Sequence, residues 1–124
     1  MIRKFTVDLT TNSSGAATGY TPYFSGYIQA IQYVKTDFAD GVDFTITADV
    51  TGESILALTD QNSATIVRPR AATHSTAGVA SVYASGGTAV NDRIALGRDR
   101  VKVVIAQGGN VKTGQVIVTV DDGR

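Results

Sequence analysis

The sequence predicts an all-β fold: a β-sandwich or barrel-like (jelly-roll-like) domain with one long irregular loop around residues 69–91. Three observations predict it. Apolar and polar residues alternate with period two along much of the chain. Clusters of Gly, Pro, Asn, Asp and Ser interrupt that alternation at short intervals. No segment sustains the 3.6-residue period of a helix. With 124 residues and 43% hydrophobic content the chain can bury one core of ordinary size, so residues 1–124 are read as a single domain.

Residues 2–9 form the first expected strand, with Phe5, Val7 and Leu9 on one face and Lys4, Thr6 and Asp8 on the other. TNSSGAATG (11–19) is loop. YTPYFSG follows, and Pro22 restricts it to an edge or an irregular extended segment. From Tyr27 to Lys35 both faces are apolar, with Ile28, Ala30 and Val34 on one and Tyr27, Ile31 and Tyr33 on the other. That pattern predicts a strand covered on both sides. Val42, Phe44, Ile46, Ala48 and Val50 then alternate with Asp43, Thr45, Thr47 and Asp49, as in a half-buried strand. Short strands are expected at 54–58 and 64–68, separated by the turn TDQNS (59–63). Residues 69–91 have no regular period, and a helical turn is expected at 77–84. Asp92–Leu96 is extended. VKVVIAQ (101–107) and QVIVTV (115–120) flank the Gly-rich GGNVKTG, which predicts a terminal β-hairpin.

Charge narrows the function classes. Eleven basic residues balance eleven acidic ones, so bulk electrostatics gives no reason to expect direct nucleic-acid binding. Charged residues make up only 18%, and the abundant Thr, Ser, Gly and Ala suit packing against protein better than gripping phosphates. Residues 1–62 carry three basic against seven acidic side chains, net −4. Residues 63–124 carry eight against four, net +4. If folding separates these charges, copies could dock by complementarity; if the strands interleave, the asymmetry disappears. The absence of cysteine excludes disulfides, thiol catalysis and cysteine-ligated zinc. MIRKFTVDLT lacks a signal-peptide core and no segment reaches membrane-spanning length, so a soluble chain with no export signal of its own and no membrane partner is expected.

Candidate chemistry is sparse. TDFADGVDFTIT (36–47) places Asp37, Asp40 and Asp43 around Gly41, but the spacing and the missing glutamate do not fit a calcium loop. Asp40-Gly41 reads instead as a hairpin turn. His74 is the only histidine and cannot build a zinc site alone; no G-x-S-x-G accompanies it to suggest a triad. GGNVKTG lacks the order of a phosphate loop. Arg68, Arg70, Arg93, Arg98, Arg100 and Lys102 are the one basic concentration, interrupted by Asp92 and Asp99. No catalytic, cofactor-binding or metal-ligating residue is assigned, and neither an enzyme nor a cofactor is expected. Aromatic and arginine side chains dominate interface energetics. The candidate interface residues are therefore Arg68, Arg70, His74, Tyr83, Arg98, Arg100, Tyr20 and Tyr23. Phe24 and Tyr27, in the same aromatic segment, are read either as contacts or as ordinary core.

GYIQAIQYVKTDFADGVDFTITADVTGESI (26–55), VRPRAATH (67–74) and NDRIALGRDRVKVVIAQGGNVKTG (91–114) resemble a set of small tailed-bacteriophage proteins. In those, Y-x-K-x-x-x-x-x-G-x-D-F-T-I-T precedes a P-R-x-x-x-H turn and a D-R-I-x-L-x-x-D-R-x-K block. The likeness covers 26–114 and carries no catalytic signature. It implies a virion component, foremost a capsid cement or decoration protein. Such proteins are β-rich and often trimeric, bind the major capsid protein lattice on the head surface, and are assembled in the host bacterial cytoplasm. Head–tail and tail structural proteins are the alternative it leaves. A carbohydrate- or receptor-binding β-sandwich module is a separate class. It would need a groove lined by exposed aromatics, and this chain has no tryptophan.

Overall fold

The structure, a computed structural model, describes residues 1–123 and contains ten strands and no helix among them. In chain order these are β1 (Ile2–Thr10), β2 (Ala17–Tyr20), β3 (Phe24–Val34), β4 (Val42–Ala48), β5 (Ser54–Gln61), β6 (Thr65–Val67), β7 (Arg70–Ala72), β8 (Asn91–Asp99), β9 (Val101–Ala106) and β10 (Thr113–Asp121). They build two antiparallel sheets packed face to face. One has the order β1-β10-β3-β8-β7, with β6 sharing the free side of β3 with β8; the other has the order β2-β9-β4-β5. Without the short β6 and β7, the eight remaining strands follow the order of a jelly roll, changing sheet at every step except from β4 to β5. The sheets stay open at their edges, so the fold is a sandwich and not a closed barrel.

The core is made by the inward faces that period-two alternation marks out. Val116, Val118 and Val120 of β10 face Phe44, Ile46, Val103 and Ile105 of the other sheet, and all seven are essentially solvent-free. Both β9 and β10 have neighbours on both sides, which leaves no edge by which they could pair with each other. The expected terminal hairpin therefore does not form. GGNVKTG instead crosses from one sheet to the other, pinned by Thr11, whose hydroxyl donates to the Gly109 carbonyl at 2.7 Å and accepts from the Lys112 N–H at 2.8 Å.

The same principle corrects the turn at Asp40-Gly41. Gly41 does adopt the positive φ (+86°) that the dipeptide predicts, yet β3 and β4 lie in different sheets, so this is a corner between sheets and not a hairpin. Phe38 is its anchor. The ring is 2% exposed, stacks at 6.2 Å on Tyr33, and lies flat over Gly114, where an added Cβ would fall 2.5–2.9 Å from ring atoms. The three aspartates around it serve local backbone and charge. Asp43 accepts the Asp60 N–H at 2.9 Å, Asp37 accepts the Thr113 N–H, and Asp40 pairs with Lys35.

In β3, apolar residues occupy both faces for a different reason from the one expected. Ala30 pairs with Thr119 and Ile28 with Val120, so Gln29 is an extra residue and the strand changes phase there. Ile28 faces the core before the bulge, and Ile31 and Tyr33 face it after. Tyr27 is turned outward and Phe24 inward. β4 ends at Ala48, and Val50 sits exposed in the following turn rather than continuing the strand. β5 runs on to Gln61 through what was expected to be a turn, with Asp60 at positive φ. Strands from the two halves of the chain alternate within each sheet, β10 between β1 and β3 and β9 between β2 and β4. The −4 and +4 halves therefore do not form separate surfaces.

Candidate interaction surfaces

The predicted interface residues fall into two groups at opposite ends of β8. One end of that strand carries β7, through pairs with Asn91–Arg93. The other reaches Asp99, which pairs with Phe24. Six residues of strand separate them, roughly 20 Å.

At the Asp99 end, Tyr20, Tyr23 and Arg100 come together, with Arg98 beside them. The Arg100 guanidinium lies 3.9 Å from the Tyr20 ring centroid and 4.9 Å from that of Tyr23, and its Nε donates to Asp49 at 2.8 Å. The Asp49 bond raises the Arg100 pKa above its ordinary value against the opposing effect of burial, so this side chain stays cationic. Tyr20 and Tyr23 remain partly exposed around it. Arg98, at positive φ, is fixed through its backbone N–H, which donates to Ser25 Oγ at 2.9 Å, and its side chain points to solvent.

Asp99 supports this cluster from beneath. Its Oδ1 accepts the N–H groups of Val50 at 2.9 Å and Arg100 at 2.7 Å. Burial pushes its carboxyl up, but these two N–H groups, with those of Thr51 and Asp49, outweigh burial and hold its pKa below the usual carboxylate value. Asp99 is 2% exposed, and among the described residues its Oδ2 has no hydrogen-bond partner. Neither Asp49 nor Asp99 was predicted. Their roles depend on Asp49 and Arg100 meeting from positions 51 residues apart, and no local pattern signals that.

The second group lies on an arm. Residues 73–90 form no strand or helix, in keeping with the expected irregular excursion, and the helical turn expected at 77–84 is absent. They fold back on themselves twice. The Thr73 N–H donates to the Val90 carbonyl, the Ser81 N–H to Thr73, the Val90 N–H to Ser81, and the Tyr83 N–H to Thr88, with bridges at His74–Ala80 and Val82–Ala89. None of these residues belongs to the core. Val79 (64% exposed), Val82, Tyr83 (87%) and Val90 stand out from the surface, and the stretch from Ala71 to Asn91 contains no Asp, Glu, Lys or Arg. His74 lies on the first rung and Tyr83 near the second turn. Arg68 and Arg70 flank the base. Arg70 donates to the carbonyls of Pro69 at 2.8 Å and Gln29 at 3.5 Å, and Arg68 has no carboxylate partner among the described residues. Sequence reading marked His74 and Tyr83 of this stretch as interface candidates and passed over the exposed Val79, Val82 and Val90. Their signal was the long uncharged run itself.

Two shallow grooves complete the surface: one of about 300 Å³ among Arg3, Tyr23, Phe24, Ser25 and Asp122, and one of about 350 Å³ along Asp8, Thr36, Thr113 and Gln115. No trio of His, Asp or Glu side chains among the described residues is placed to hold a metal ion. Stacking, apolar burial and charge pairing are the chemistry these surfaces offer. No family model, curated protein or solved structure matches the chain.

Proposed function

We propose that this chain is a structural virion protein of the capsid cement or decoration class, which self-associates and clamps neighbouring subunits of the major capsid lattice. The observation that carries the reading is the 73–90 arm: a self-bonded, uncharged extension with four large apolar side chains outside the core. Exposed apolar surface on a small domain marks sites that are covered in an assembly. The arm would supply the central apolar contact, with Arg68 and Arg70 on its rim. The Tyr20–Tyr23–Arg100 cluster offers a second anchor at the far end, so one copy could touch two subunits. Multivalent contact of this kind turns modest affinities into firm attachment. The jelly-roll order suits the role, and the resemblance over 26–114 supplies the phage context. A carbohydrate-binding role is less favoured by the cluster, because Arg100 already covers one face of each tyrosine ring.

Adding purified protein to phage heads that lack it tests the reading. The expected result is saturable binding at a copy number fixed by the head lattice, with heads surviving a higher temperature once filled. A few copies per particle would point instead to a head–tail or tail component. No saturable binding at all would contradict the cement role.

A further inference from the structure

The strand β1 forms one edge of the six-stranded sheet. It pairs with β10 along its whole length, Ile2 opposite Asp121 through Thr10 opposite Thr113, and its other side carries no strand. The edge is nine residues long, IRKFTVDLT, without proline, glycine or bulge. Edges of this length are normally shortened, kinked, covered or used.

Its sequence is self-complementary. If a second copy is set antiparallel with the two Thr6 residues opposed, Lys4 of each chain faces Asp8 of the other, and Phe5 faces Val7. Every other even register places Lys4 against an uncharged residue, against another Lys4, or beyond the strand. Lys4 and Asp8 both lie on the exposed outer face of the sheet. Lys4 has no carboxylate partner among the described residues, and Asp8 is engaged only by the Gln115 amide at 2.8 Å. Phe5, on the inner face, is only half-buried and packs against Phe24 in a tilted pair with centroids 5.5 Å apart, so an opposing valine would extend its cover. Oppositely charged and apolar pairs are the units that stabilise a sheet, and a two-fold interface uses each of them twice.

We infer that β1 is a two-fold docking edge whose occupant is β1 of a second copy, joining two six-stranded sheets into one continuous sheet. The inference stands apart from the cement reading, and it differs from the trimer that the phage resemblance implies. Three copies around an axis need head-to-tail contacts, whereas this edge closes on itself with two.

Sedimentation equilibrium of the free protein is expected to give twice the chain mass of 12.9 kDa. Lys4→Asp, which opposes two carboxylates at each end of the pairing, is expected to raise the dissociation constant about tenfold or more. Adding Asp8→Lys is expected to restore it. In this cysteine-free chain, Thr6→Cys is expected to cross-link into a disulfide dimer under mild oxidation, because residues opposed at the centre of an antiparallel pair lie within disulfide reach. Ser13→Cys, in the following loop, is expected not to. A monomer or trimer of unchanged mass on Lys4→Asp, or equal cross-linking at both cysteines, would overturn the inference. A monomer that still fills heads would overturn the pairing alone, and a dimer that does not bind heads would overturn the cement role alone.

Discussion

Excising residues 74–89 and closing Thr73 to Val90 with Asn-Gly is expected to leave the sandwich folded and to weaken head attachment by at least about a hundredfold. Thr73 and Val90 are already hydrogen-bonded neighbours, the Thr73 N–H reaching the Val90 carbonyl at 2.9 Å, so a two-residue turn can join them without moving β7 or β8. Nothing in the excised segment contributes to the core, and shortening a surface excursion lowers the loop-closure cost by about 2 kcal/mol. Binding is another matter. Val79, Val82 and Tyr83 go together: a central tyrosine anchor carries about 2 kcal/mol or more of an interface, and burying each valine adds to it. Urea unfolding of the shortened chain checks the first half of the expectation and co-sedimentation with heads the second. Loss of both fold and binding would assign the arm a structural role instead.

Phe38→Ala is expected to cost about 3–5 kcal/mol of folding stability, the largest effect of any single substitution considered for this chain. Its ring is the one large apolar group on the corner that carries the chain from β3 to β4, and it fills the space between Tyr33 and Gly114. Gly114→Ala drives a methyl group into that ring and is expected to cost about 1–3 kcal/mol alone. In the Phe38→Ala background the same methyl enters the vacated space, so the second substitution is expected to cost much less. A double-mutant cycle by urea unfolding reads this coupling directly. Additive losses would mean that Phe38 and Gly114 do not share one packing contact.

Much of the fold was legible because period-two alternation reports which face of a strand is buried. It placed Val7 and Leu9 on one face of β1 and Val42, Phe44, Ile46 and Ala48 on one face of β4, the faces that the core buries, and it located the stretch without regular period that becomes the arm. What alternation cannot report is which strand lies alongside. In this topology most connections between the long strands cross between sheets, so Asp40-Gly41 and GGNVKTG, both strong turn signals, lead to corners where hairpins were expected. A single extra residue, Gln29, defeated the pattern in β3, because a bulge reverses phase without leaving any compositional mark. The interface candidates were recognisable by residue type alone. Their division into two groups, and the dependence of Arg100 on Asp49 and of the Val50 turn on Asp99, arise from contacts between segments about fifty residues apart.

The arm is the feature on which the functional reading turns, and amide hydrogen exchange resolved by peptide tests it most directly. The free protein is expected to exchange rapidly across 73–90, where the backbone bonds are exposed and no core lies beneath. On filled heads those amides are expected to be the most strongly protected in the chain, with the turn around Val50 next. Bound protein whose 73–90 amides exchange as fast as in the free state, while protection appears elsewhere, would contradict the arm as the clamp.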